Sequence, residues 1–140
     1  MRRNALILLA ILLVNLAGCG LFRGGEKASV RLDLDREAGA SAKLQPGDTL
    51  LLDVRHPGDG GYQFSGASFD PKILRLEKFW TEPPENPKPG DFGRAYFEFT
   101  ALGEGGTTVE IRIRRPWEKD SAPELYRSVS VEVAAPAGKS

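Results

Sequence analysis

The residues that could do chemistry are few, and they lie far apart in the 140-residue sequence. Asp33 and Asp35 stand two apart in Val30-Arg31-Leu32-Asp33-Leu34-Asp35, on one face of an alternating segment. Paired carboxylates do acid/base work when a neighbouring charge or burial separates their pKa values. The sequence places no cation or titratable group to tune this pair, so it reads as a solvated outer face. His56 is the single histidine. A catalytic triad or a zinc site needs partners that the sequence does not supply, and His56 reads as a surface residue at a strand end. The glycine-rich run that follows it, Pro57-Gly58-Asp59-Gly60-Gly61-Tyr62, would cradle a phosphate only with a helix N-terminus or a lysine behind it. Tyr62-Gln63-Phe64 is strand-like instead, which argues against a phosphate site. No enzyme activity, metal or cofactor is expected.

The elements that must carry these residues are strands. In residues 107–117, Val109, Ile111 and Ile113 alternate with Glu110, Arg112 and Arg114, the period of a strand with one dry and one wet face. Gly103-Glu104-Gly105-Gly106 turns the chain before it. Arg115-Pro116-Trp117 ends it, because proline lacks the N–H that a ladder needs and holds Arg115 extended. Similar runs at 96–100 and 126–133 predict a three-stranded meander with Trp117 at one end. Further strands are predicted at 30–35, 49–54, 62–65 and 73–80. The last of these has a mixed second face, as an edge strand does. Residues 81–91 hold Pro83, Pro84, Pro87 and Pro89 and form a long stiffened loop. About seven short strands without helical periodicity predict an all-β, immunoglobulin-like sandwich.

Residues 1–18 read as a signal peptide, with Arg2 and Arg3 ahead of an apolar run too short to span a bilayer comfortably. Leu16-Ala17-Gly18-Cys19 resembles the bacterial lipobox. That resemblance implies cleavage before Cys19 and lipidation of it, where each buried CH₂ contributes about 0.8 kcal/mol to membrane attachment. Residues 19–28 form the lipidated cysteine and a polar tether, 29–135 the sandwich domain, and 136–140 a flexible tail. Gly20 after the cysteine favours the outer membrane of a cell envelope. Cys19 is the single cysteine, so the domain must hold together without disulfides. Lys and Arg balance Asp and Glu over the whole chain, and no basic stripe marks a nucleic-acid binder.

The domain resembles the chagasin family of cysteine-protease inhibitors over roughly residues 30–133. A Phe-x-Phe strand, a Gly-Thr-Thr turn, a strand ending in Arg115-Pro116-Trp117, a variable loop and a Tyr-led last strand follow in that order. The resemblance implies an immunoglobulin-like fold whose three loops at one end enter the cleft of papain-like cysteine proteases. The first loop corresponds to His56, Pro57, Gly58, Asp59, Gly60, Gly61 and Tyr62. Pro57, Gly61 and Tyr62 fit the family's Asn-Pro-Thr-Thr-Gly-Tyr-like motif; its two threonines are missing. The second corresponds to Gly90, Asp91, Phe92 and Gly93, with phenylalanine in place of one glycine of a Gly-x-Gly-Gly motif. Those letters also occur at 103–106, between the wrong pair of strands. The third loop is Arg115, Pro116 and Trp117. The implied function is a membrane-tethered, monomeric inhibitor acting by steric occlusion; the alternative is a non-inhibitory envelope module that binds another protein or peptide through the same loops. Two dispositions are open for Trp117: an exposed anchor, or a lid folded over the sandwich end. Both functional readings require 56–62, 90–94 and 115–117 to meet at one tip.

Overall fold

The computed structural model describes residues 27–37 and 39–136. The expected signal peptide, Cys19, most of the expected tether and residues 137–140 lie outside them. Eight strands are present among the described residues: β1 (Ser29–Asp33), β2 (Ser41–Leu44), β3 (Thr49–Arg55), β4 (Gln63–Ser68), β5 (Leu74–Glu82), β6 (Arg94–Ala101), β7 (Gly105–Arg114) and β8 (Glu124–Val133). A 3-10 turn at Asp59–Gly61 is the only helical element among the described residues. The strands form two four-stranded sheets, ordered β1-β3-β6-β5 and β2-β8-β7-β4. The all-β sandwich that the alternation predicts is the observed fold.

Between the layers, Leu50, Leu52, Val54, Phe97 and Phe99 of the first sheet face Val109, Ile111, Val129, Val131 and Val133 of the second. Burial of these period-two faces drives the assembly, at about 25 cal/mol per Å² of apolar surface removed from water. Phe64 stands at the end of this core, with ring centroids 5.6 Å from Phe97, 5.5 Å from Phe79 and 6.2 Å from Tyr126.

Three expectations need correction. The meander does not exist as such. β7 and β8 pair antiparallel, but β6 pairs with β3 and β5 in the other sheet. Alternation shows which face of a strand is dry; it does not say which sheet receives it, and 102–104 carry the chain across the sandwich. Second, β2 is an added strand, lying parallel to β8 with Ala42 opposite Val131. Its Ser-Ala-Lys-Leu sequence has weak strand propensity, so tertiary pairing creates it. Third, β5 is an edge strand as expected, but a bulge between Leu76 and Lys78 changes its facing. Phe79 thereby lies opposite inward-facing Phe97, with centroids 4.8 Å apart, and Trp80 stacks on Tyr96 on the outer face.

The acidic pair also differs from expectation. Asp33 and Asp35 belong to an ion-pair cluster on the outer face of the first sheet. Arg94 reaches Asp53 through Nη2 (2.7 Å), Asp35 through Nη1 (2.7 Å) and Asp33 (3.1 Å). Arg31 also binds Asp53 (2.5 Å), and Arg127 binds Asp35 (2.9 Å). Asp53 is only 5% exposed. Burial alone would lower the Arg94 pKa, but the surrounding carboxylates outweigh it and hold the guanidinium well above its ordinary value. Burial pushes the Asp33 carboxyl up, while the Asp35 N–H and Arg94 more than offset this and hold it below its ordinary value. Arg36, three residues on, also lies 3.2 Å from Asp33, but the other three cations pair with carboxylates 22 to 92 residues away in sequence, beyond the reach of a local reading.

Arg94→Met leaves three carboxylates short of a partner and is expected to destabilise the domain by about 2 kcal/mol or more at neutral pH. Asp33, with its lowered folded pKa, contributes stability above its unfolded value and loses it as pH falls. The deficit should therefore shrink below about pH 4 as Asp33 protonates. Urea unfolding of both proteins across pH measures this.

Candidate functional site

The strand pairings define two poles. Arg55 lies opposite Arg94, Arg94 opposite Glu82, and Gln63 opposite Arg114. The connections leaving this end are loop one (56–62), loop two (83–93) and loop three (115–123). At the other pole lie Thr49 opposite Thr100, Leu74 opposite Ala101 and Gly105 opposite Val133. The run at 103–106 turns there, away from the three loops.

Loop one is the centre of the tip. Its 3-10 turn closes with Gly61 N–H donating to Gly58 O at 3.2 Å. Gly60 and Gly61 have φ of 74° and 80°, the left-handed region in which a Cβ is strained. The other two loops lie against its glycines. A Cβ on Gly58 would come within 2.5 Å of the Phe92 ring, and one on Gly61 would collide with the Trp117 indole. The absence of side chains in loop one is what lets Phe92 and Trp117 flank it so closely.

Arg115 braces this arrangement from loop three. Its Nε donates to Gly60 O at 3.0 Å, its Nη1 to Glu118 Oε1 at 3.3 Å, and its guanidinium lies 4.4 Å from the centre of the Tyr62 ring. Glu124, the largest influence on the Tyr62 phenol, raises its pKa, while Arg115 acts the other way. Loop two is fixed at its end by Gly93, which has a φ of 87° and sits where any Cβ would strike the Glu82 carbonyl. His56 N–H donates to Gly93 O at 2.9 Å.

The predicted site residues thus come together and divide by role. Asp59, Gly60, Asp91, Phe92, Pro116 and Trp117 face solvent. Trp117 is 65% exposed and Phe92 47%, so the lid disposition of Trp117 is not the one observed. Pro57 and Gly93 are buried supports; Gly58, Gly61, Gly90, Tyr62 and Arg115 are half-buried. His56 is not the surface residue that its isolation in sequence suggested. It is half-buried, edge-on to Phe64 at 5.4 Å and 6.4 Å from Phe92, and its Nδ1 has no hydrogen-bond partner. Burial lowers its pKa. Sequence reasoning missed Arg55, whose side chain reaches Gly90 O at 2.7 Å; an arginine at a strand end carries no local signal of a partner 35 residues away.

The tip holds no assembled nucleophile and base. Among the predicted site residues the exposed groups are two aromatic rings, two carboxylates, a proline and backbone, an inventory suited to contact with a protein surface. The sequence matches the family model described as "Chagasin family peptidase inhibitor I42" over residues 43–132. No curated protein matches it. Among solved structures, it is similar to the cysteine protease inhibitor EhICP2 from Entamoeba histolytica, with 21% identity and a TM-score of 0.61 over 79% of this chain and 100% of that one. It is also similar to PbICP-C, solved in complex with falcipain-2, with 13% identity and a TM-score of 0.50 over 75% of this chain and 99% of that one. At these identities the likeness is one of fold.

A neutral imidazole is favoured in the folded state, so the stability contribution of His56 is constant above its ordinary pKa of about 6.5 and falls as pH drops through that value toward the lower folded one. Thermal unfolding between pH 7.5 and 5 should show this loss in the native protein and less of it in His56→Gln. Gly58→Ala should displace the Phe92 ring, seen as shifted Phe92 resonances, without unfolding the sheets.

Proposed function

The chain belongs to the chagasin family of peptidase inhibitors, and we propose that it inhibits papain-like cysteine proteases as a lipid-tethered wedge. Family and structural neighbours are protease inhibitors and not enzymes. The observation that carries the reading is the meeting of three loops at one tip, with Trp117 exposed and laid on Gly61.

Inhibition of this kind needs no chemistry. A stiff wedge enters the cleft and excludes substrate. Trp117 is the anchor, since a rigid exposed indole contributes a large contact area at low entropic cost. Phe92 flanks loop one on the other side. Gly60 presents backbone at the apex, and its left-handed φ departs from the extended geometry of a strand-like substrate. Pro57, Pro116 and the Arg115 brace limit the freedom lost on docking. Loop one has Gly58 and Asp59 where the family motif has threonines, and loop two has Phe92 where it has glycine. The close approach of Gly58 and Phe92 makes these one compensated change: the bulk absent from loop one is supplied by the ring of loop two.

Membrane attachment through Cys19 is part of the same proposal, with the protein held on the cell envelope and the outer membrane favoured. The chain enters the domain at the pole opposite the tip. Ala28 N–H donates to Asp48 Oδ1 at 3.0 Å, and Ala28 O accepts from Thr49 N–H at 2.9 Å. A lipid at Cys19 would therefore join the domain from the pole opposite the loops, with strands of up to 10 residues between, a separation of about 30 Å. The expected targets are soluble proteases approaching the envelope.

Titration of papain or a cathepsin with residues 26–136 should give tight, reversible, active-site-directed inhibition. Trp117→Ala should weaken it by about 2 kcal/mol or more, roughly 30-fold, without lowering the unfolding temperature. No inhibition of several such proteases would favour an envelope module that binds another protein through the same tip. Palmitate labelling of the full chain should be lost in Cys19→Ser; equal labelling of both would remove the tether.

A further inference from the structure

Loop two is tied down at two points that bracket Phe92. On one side, His56 N–H reaches Gly93 O. On the other, Arg55 Nη2 reaches Gly90 O at 2.7 Å. Among the described residues, this is the one side-chain hydrogen bond joining loop two to β3 or loop one. Arg55 is itself firmly planted. Its N–H donates to Asp35 Oδ2 at 2.7 Å, its carbonyl accepts from Tyr126 Oη–H at 2.7 Å, and it closes the β3–β6 ladder opposite Arg94. The guanidinium thus projects from a point held by the first sheet, by the turn after β1 and by β8.

Loop two has little else to hold it. Its internal hydrogen bonds are Asp91 N–H to Lys88 O and Gly93 N–H to Asp91 Oδ1. Its prolines stiffen segments but do not set their direction relative to loop one. Gly90, with φ of 81°, joins the proline-rich segment 83–89 to Phe92 through a left-handed conformation.

We propose that Arg55 is a positioning residue of the tip: it latches Gly90 so that loop two stays closed on loop one and presents Phe92 beside Gly58 before a partner arrives. The proposal deepens the inhibitory reading and rests on it for its binding consequence. The partner surface it implies is a cleft with an apolar wall that receives Phe92 alongside the backbone of loop one. Without the latch, the competent arrangement is only fractionally populated, and apparent affinity falls by that fraction. The loss appears mainly in the association rate, because the bound contacts are unchanged.

The test compares native protein, Arg55→Met, Arg55→Lys, Phe92→Ala and the Arg55→Met/Phe92→Ala double variant in the full chain. Methionine keeps the apolar stem and removes the donors. Arg55→Met should raise the inhibition constant for papain about tenfold, chiefly through slower association, and should speed amide exchange at 88–93 while exchange in β6 and β7 stays as it was. Arg55→Lys should recover part of both. In the Phe92→Ala background, Arg55→Met should add little, since the ring it positions is gone. Unchanged inhibition by Arg55→Met, unchanged exchange at 88–93, or full additivity with Phe92→Ala overturns the proposal; the last would make Arg55 a direct contact. If the native protein inhibits no papain-like protease, the inhibitory reading fails by itself, and the exchange at 88–93 still decides whether Arg55 latches the loop.

Discussion

Two aromatic rings rest where a third loop has no side chains, and the shape of the tip depends on that contact. Phe92 occupies the space beside Gly58, and Trp117 the space beside Gly61. Each ring is thereby held on one face while the other remains in water. An exposed ring on an unsupported loop would have to be ordered when it binds; a ring laid on backbone is ordered beforehand. The glycines are accordingly not a sign of a flexible loop. Gly60 and Gly61 take up left-handed conformations that the turn requires, and Gly58 and Gly61 yield volume to neighbouring loops.

That arrangement is only as rigid as the sandwich beneath it. With its one cysteine at position 19, the domain is closed by core burial and by charge. The cluster around Arg94 joins β1, the turn after it, β3 and β6, and Arg127 extends it to β8 in the opposite sheet. Its location at the tip pole is mechanically apt: Arg94 is the residue after loop two, and Arg55, opposite it in the ladder, is the residue before loop one. Ion pairs at this pole therefore fix the stems from which the loops spring. They act together as a network with a buried member, Asp53, and so exceed what isolated surface pairs contribute.

At the far pole the requirement is different. Asp48 accepts from Ala28 N–H and Gln45 N–H, binding the incoming chain to the turn before β3. The point where the chain enters the domain and the three loops are separated by the length of the sandwich.

Much of this was legible in the order of residues. Period-two alternation identified most of the strands, prolines and glycines marked the long loop and the turns, and Arg115-Pro116-Trp117 after an alternating strand identified one of the three loops. These are short-range features, set by side-chain direction along a strand and by the φ values that proline and glycine allow. The order of residues could not say that β6 and β7 lie in different sheets, that β2 exists, or that a bulge sets Phe79 against Phe97, because each depends on which distant strand closes the ladder. Nor could it bring Arg94 and Arg127 to Asp33 and Asp35, seat Phe92 on Gly58, or choose between an exposed and a folded-back Trp117. Those outcomes belong to contacts between residues tens of positions apart, which come into being only when the two sheets pack and bring the ends of their strands to a common pole.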